Sequence, residues 1–221
     1  MTFTENAKRA LPVSTIVIAS LLFYIYLSAL NGFKIGFFDD SGSYFLAADV
    51  FMRGEIDFLR TPLYPLICRF AAWLSAPNAF TIIAVMQEAV FLCSIVAIFN
   101  AIATLGISRR IALFITSAYA LCPVLFLYSN LIFTESLAIS FSAFFVCTIA
   151  NTLFGKHQLA AAVTMPPLLF LMIMLRPFFV CFIPVAAIVL LYSLYGNRHN
   201  IRHAVAIASS SACVAFALLG Y

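Results

Sequence analysis

Apolar residues run along this chain in blocks: Leu11–Leu30, Phe80–Leu105, Ile111–Leu127, Leu131–Phe154, Leu159–Leu175, Phe178–Tyr195 and Ala204–Tyr221. A helix rises 1.5 Å per residue, so about 20 apolar residues cross a hydrocarbon core about 30 Å thick. These blocks reach or approach that length. They lack the two-residue alternation of a membrane barrel, whose strands show apolar and polar positions in turn. The pattern therefore predicts an all-α polytopic membrane bundle of about seven transmembrane helices, with residues 1–221 as a single transmembrane domain. Lys8 and Arg9 precede the first block as they would in a signal peptide, but the block exceeds the 7–15 residues of such an apolar region, which predicts a retained helix.

One long polar interruption separates the first block from the second. Ser43 to Arg53 places Tyr44, Phe45, Ala48, Phe51 and Met52 at helical spacing, with Asp40 or Ser41 available as an N-cap and Gly54 as a stop. Beyond the extended step Arg60-Thr-Pro-Leu-Tyr-Pro65, residues Leu66 to Ser75 are apolar apart from Arg69 and too short to span. Two juxtamembrane helices are expected in this first loop, residues 31–79. Pro123, Pro166, Pro167 and Pro184 fall inside other blocks, where each removes a backbone donor and would kink its helix.

Composition agrees with the pattern. The chain is 65% hydrophobic and 9% charged, far below the roughly 25% charged residues of a soluble domain. Its net charge of +4 comes from short basic clusters between apolar blocks, so nucleic acid is not an expected partner. If the spans alternate, Lys8/Arg9, Arg109/Arg110, Lys156 and Arg198/Arg202 share one side, which the positive-inside rule makes cytoplasmic. The N-terminus is then cytoplasmic and the first loop faces out, periplasmic in a bacterial inner membrane. The six cysteines stand singly, with no framework or zinc spacing. His157, His199 and His203 fall on the cytoplasmic side, and phosphate-cradling glycine loops and nucleophile elbows are absent.

Candidate chemistry concentrates in the first loop, which holds Asp39, Asp40, Asp49, Glu55 and Asp57 among eight carboxylates in all. Asp39 and Asp40 read either as a base beside apolar mass or as a helix cap with a solvated neighbour. Arg60, Arg69 and Arg176 suit bidentate capture of phosphate or carboxylate at a water–lipid boundary, and equally suit snorkelling. Arg176 stands between Leu175 and Pro177 with hardly any polar loop around it. Glu135 opens a span, where it is either a site group or a partner for the helix dipole. Glu88 lies roughly 12 Å deep in the second block at 1.5 Å per residue, a position that suggests function or a buried partner such as Gln87 or Asn100.

The order Asp40-Ser-Gly-Ser-Tyr44, Ala47/Ala48, Gly54 and Arg60-Thr-Pro-Leu-Tyr-Pro65, followed by Thr134-Glu135 and Leu175-Arg176-Pro177, resembles the GT-C superfamily of membrane glycosyltransferases. That group includes the protein O-mannosyltransferases and the lipid A aminoarabinose transferases. The resemblance covers roughly residues 8 to 196, and its specific part is the first-loop pattern. It implies transfer of a sugar from a polyprenyl-phosphate-linked donor to a lipid, glycan or protein acceptor on the non-cytoplasmic face, with inversion. Asp40 would be the general base, Arg60 and Arg176 would hold the phosphate, and Asp39, Tyr44, Tyr64 and Glu135 would contribute to substrate binding. The apolar bundle and membrane lipids would hold the isoprenoid. Ser41 stands where many relatives carry a second acid, so a paired-carboxylate mechanism or a divalent metal is not implied unless Asp39 substitutes; the spacing supports no metal, and no cofactor is expected. The family continues beyond the position of Tyr221, so the chain is expected to correspond to the N-terminal transmembrane portion of such an enzyme. Two other readings remain open from the residues alone: a non-catalytic carrier or flippase drawing on Glu88, and an inactive fragment or assembly subunit.

Overall fold

The computed structural model describes the backbone of residues 3–36, 39–55, 57, 60–196 and 201–219, and the side chains within 12–36, 41–55, 57, 60–196 and 205–214. Among the described residues the chain forms ten α-helices: α1 Phe3–Leu30, α2 Asp39–Met52, α3 Leu63–Leu74, α4 Ala79–Thr104, α5 Arg109–Ala120, α6 Pro123–Ser129, α7 Thr134–Phe154, α8 Gln158–Leu175, α9 Ile183–Gly196 and α10 Ile201–Leu219. Five stretches are long and apolar enough to cross a membrane: Pro12–Leu30, Ala76–Thr104, Thr134–Phe154, Gln158–Leu175 and Pro177–Gly196. The protein is a helical membrane bundle. Its large outward-facing residues, including Leu22, Phe114, Ile188, Leu191 and Tyr192, form apolar surface of an extent that water-exposed proteins avoid and lipid tolerates.

The block Ile111–Leu127 is not one straight span. Arg109–Ala120 and Pro123–Ser129 meet at 48°, because Pro123 has no N–H to continue the ladder of α5 and instead occupies the first turn of α6. Counted as one broken span, the pair makes a sixth crossing. The seventh block corresponds to α10, whose apolar stretch with described side chains, Val205–Val214, is shorter than a crossing. By contrast α8 continues through Pro166 and Pro167 as one helix.

Helices α4, α7 and α8 form the centre, with Ile83, Phe145, Met165, Met172 and Leu175 fully buried between them and their neighbours. Helix α1 joins this body through Val13 against Phe99, Ile102 and Ala112. The two expected juxtamembrane helices are present as α2 and α3, packed on each other and on α4. Helix α2 starts four residues earlier than its apolar spacing indicates, so Asp40 and Ser41 lie in its first turn rather than at its cap. It stops where Gly54 adopts φ +75, with Gly54 N–H donating to Phe51 O at 3.0 Å and Glu55 N–H to Val50 O at 3.2 Å. That pair of bonds is a Schellman cap, and the left-handed conformation favours glycine.

Candidate functional site

The end of α1 and the starts of α4 and α7 meet the end of α8 at one end of the bundle, and the backbone there is tied together across long sequence separations. Gly36 bridges Leu131 in parallel, with Gly36 N–H donating to Asn130 O at 3.0 Å and Ile132 N–H to Gly36 O at 3.3 Å. A Cβ at Gly36 would overlap the tip of the Leu131 side chain, which would have to move aside to keep this approach. The Ser41 hydroxyl donates to Ile132 O at 3.2 Å, fixing the first turn of α2 against the strand-like lead into α7. The Thr61 hydroxyl donates to Leu175 O at 2.8 Å, which brings the Arg60-Thr-Pro step to the end of α8.

A buried amide completes the frame. Gln87 on α4 is 1% exposed. It accepts from the Tyr64 hydroxyl at 2.6 Å and donates to Ser129 O at 3.0 Å and Leu131 O at 2.9 Å. One side chain thereby joins α3, α4 and the turn leading into α7. Without it, the Ser129 carbonyl and the Tyr64 phenol would lose their partner in an apolar interior, which is costly, while Leu131 O would keep its bond from Phe133 N–H.

On this frame sit five of the sequence-predicted residues. Arg176, just past α8, pairs through Nη2 with Glu135 Oε1 and donates from Nε to the Thr134 hydroxyl at 2.7 Å. These bonds engage two of its five N–H donors, and 39% of the side chain remains accessible. Tyr44 is buried at 4% exposure. It packs edge-on to Tyr64 at 4.7 Å between centroids, and the Arg60 guanidinium stacks over its ring at 4.6 Å. Burial pushes the Tyr44 phenol above its usual range, opposed by a hydrogen bond with Thr134 and the nearby Arg60 charge. Burial likewise pushes Tyr64 up, with Cys68 and Tyr44 adding to the effect, and raises the Cys68 thiol to about 12. Both phenols are thus neutral at physiological pH and act as donors or packing surfaces.

Tyr44, Arg60, Tyr64, Glu135 and Arg176 therefore come together from four separate segments. Asp39 and Asp40 belong to the first turn of α2, whose following residues Ser41 and Tyr44 contact Ile132 and Thr134. The side chains of both aspartates lie outside the described residues, as do those of Lys8, Arg9, Arg202 and His203, and Arg198 and His199 altogether. The remaining polar residues of the loop are spent elsewhere: Asp49 pairs with Arg69 at 3.3 Å between α2 and α3, and Arg53 with Glu55 at 3.0 Å. More than half of each side chain is exposed, so these are weak surface pairs. Arg69 consequently does not join the cluster. Glu88 faces another part of the bundle.

Beside the Gly36–Leu131 bridge lies an apolar cavity of about 440 Å³ lined by Leu27, Leu30, Pro123, Phe126 and Leu127 among others. No protein family, curated protein or solved structure matches this chain. The cluster must accordingly be read from its own chemistry. It presents two guanidinium groups held by an aromatic ring and by a carboxylate, a set suited to an anion with several oxygens. Among the described residues no group of three or more His, Cys, Asp or Glu side chains is placed to hold a metal ion. His157, with Lys156 and Gln158, lines a separate cavity of about 740 Å³ between the start of α8 and Ala206 of α10.

Sequence reasoning missed Gln87 as the hub of this region, and Thr61 as its tie to α8. The available signal for Gln87 was an amide within an apolar block, a position that requires a partner in the membrane.

Proposed function

We propose that this protein binds a polyprenyl-phosphate-linked sugar at the Arg176 end of its bundle and transfers the sugar to an acceptor hydroxyl, as the first-loop resemblance implies. The observation that carries this reading is the convergence of Arg60, Tyr44, Glu135 and Arg176 from separate segments, at the end of the bundle where an apolar cavity adjoins the Gly36–Leu131 bridge. A lipid phosphate needs cations at the head and apolar room for the chain, and this end of the bundle offers both. On this reading the bundle lies in a bacterial inner membrane with the cluster on the periplasmic side.

In the proposed reaction Asp40 removes the proton from the acceptor hydroxyl as its oxygen attacks the anomeric carbon. The bond from that carbon to the phosphate oxygen breaks on the opposite face, which inverts the centre. The electron pair departs with polyprenyl phosphate, whose added charge Arg60 and Arg176 stabilise. Glu135 and Thr134 orient Arg176, while Tyr44 orients Arg60 and Tyr64 supports Tyr44. Asp39 would contribute to substrate binding. Replacing Asp40 with Asn should lower transfer from a polyprenyl-phosphate sugar at least 100-fold, the lower range for loss of general-base catalysis, without altering membrane insertion. Unchanged turnover in a folded Asp40→Asn protein would reject the mechanism.

A further inference from the structure

Glu88 lies on α4 about 14 Å from Ala79 along the helix at 1.5 Å per residue. Only 5% of the residue is exposed, and neither carboxylate oxygen has a hydrogen-bond partner among the described residues. The Ser129 hydroxyl, in its vicinity, donates to Phe126 O at 2.9 Å instead. The carboxylate borders a small cavity of about 10 Å³ lined by Ser20, Phe23, Tyr24, Phe91, Ala120 and Phe126, room for one water-sized particle.

The lining comes from four helices. Helix α1 contributes Ser20, Phe23 and Tyr24, α4 contributes Phe91, α5 contributes Ala120, and α6 contributes Phe126. Among these described residues no lysine, arginine or histidine faces Glu88, and Tyr24 is the one other ionisable group. Glu135 on α7, which also packs against α4, is committed to Arg176. Among the described residues a carboxylate in this position has no counter-charge, and an uncompensated charge within a membrane bundle is strongly unfavourable. The Ser20 hydroxyl donates to Ala120 O at 2.9 Å, which leaves its own oxygen able to accept.

We propose that this cavity binds one monovalent cation, a proton or an alkali-metal ion, against the Glu88 carboxylate, and that its occupancy holds α1 on the bundle. Helix α1 is the span most sensitive to such a device. Only 17% of its membrane window is buried, and Ser20–Ala120 and the edge-on contact of Tyr24 with Phe126 at 5.2 Å are among its ties at this level. The proposal is independent of the transfer reaction, since Glu88 is separate from the Arg176 cluster.

The test uses the full chain in lipid nanodiscs. Its apparent melting temperature is measured between about pH 5 and pH 9, in choline chloride and in sodium chloride, for the wild type and Glu88→Gln. Choline is far too large for the cavity. The expected wild-type result is a loss of several degrees as pH rises in choline. Sodium chloride abolishing that loss assigns the site to an alkali-metal ion, and an equal loss in sodium assigns it to a proton. Glu88→Gln should be insensitive to pH and sodium over the same range. A wild type that responds to neither, or a variant with the same response as the wild type, overturns the proposal. Should Glu88→Gln fail to fold, infrared difference spectra of the wild type decide the matter. A buried carboxyl band that changes with pH or sodium supports the site, and its absence rejects it.

Discussion

Replacing Gln87 with leucine tests whether the site is held by a buried amide. The substitution keeps approximate volume and apolar packing but removes three hydrogen bonds, those to the Tyr64 hydroxyl, Ser129 O and Leu131 O. A typical protein hydrogen bond contributes a net ~0.5–1.5 kcal/mol, and inter-helix bonds in membranes average about 0.6 kcal/mol. Three such bonds, all at a residue 1% exposed, give an expected loss of about 2–4 kcal/mol by that range. For a chain of this size each kcal/mol lowers the melting temperature by roughly 2–4 °C. The variant should therefore melt about 5–15 °C below the wild type in detergent or nanodiscs, by that scale. Tyr64→Phe removes only the phenol bond and should cost about 1 kcal/mol. A Gln87→Leu protein that melts within about 2 °C of the wild type would refute the reasoning, because the carbonyls of residues 129 and 131 would then have no need of the amide.

Further outcomes follow from the same contacts. A double-mutant cycle of Glu135→Gln and Arg176→Gln, read by melting, should show a coupling of about 1–2 kcal/mol, above the surface-pair range because the Thr134 bond fixes the geometry but below a fully buried pair. Gly36→Val should destabilise by more than about 1 kcal/mol, since its Cβ meets Leu131; melting of Gly36→Val and of Gly36→Val with Leu131→Ala separates steric overlap from other causes, the second change restoring stability. Tyr44 and Tyr64 have folded-state phenols raised by burial, so their stabilisation is complete below the unfolded value near pH 10 and is lost as pH rises above it. An ultraviolet pH titration should show both ionising later than exposed tyrosines, and ionisation of both at the same pH as free tyrosine would contradict their burial.

Much of the architecture is legible from block length, because a hydrocarbon core imposes a length that few other structures need. The positions of α2 and α3 are also legible, since helical spacing and the Gly54 stop are local signals. The bend at Pro123 is not read as a break from hydropathy alone: the block Ile111–Leu127 stays apolar across it, and only the missing N–H marks the place. Ser41 illustrates a second limit. Its residue type fits an N-cap, but the helix begins earlier and its hydroxyl bonds Ile132 O instead, a partner 91 residues away that no local pattern encodes.

The site divides in the same manner. Arg176 is conspicuous because it stands without a polar loop, and Glu135 because it opens a span; their pairing depends on how α7 and α8 pack. The five acids of the first loop look alike in sequence, yet Asp49 and Glu55 are taken up by exposed arginines. Asp49 meets Arg69 where α2 packs on α3, and Glu55 meets Arg53 where the chain turns after α2, placements that composition does not encode. Gln87 is misplaced for a related reason: from sequence it is a partner for its neighbour Glu88, whereas its actual partners come from α3 and the lead into α7.

The most direct measurement of the central claim is binding of polyprenyl phosphate to the purified protein in nanodiscs, compared among wild type, Arg176→Gln and Arg60→Gln. Charge-assisted hydrogen bonds of about 1.5–3 kcal/mol predict saturable wild-type binding weakened roughly 10- to 150-fold by either change. Equal affinity in all three folded proteins would contradict the assignment of this cluster to a lipid-linked phosphate.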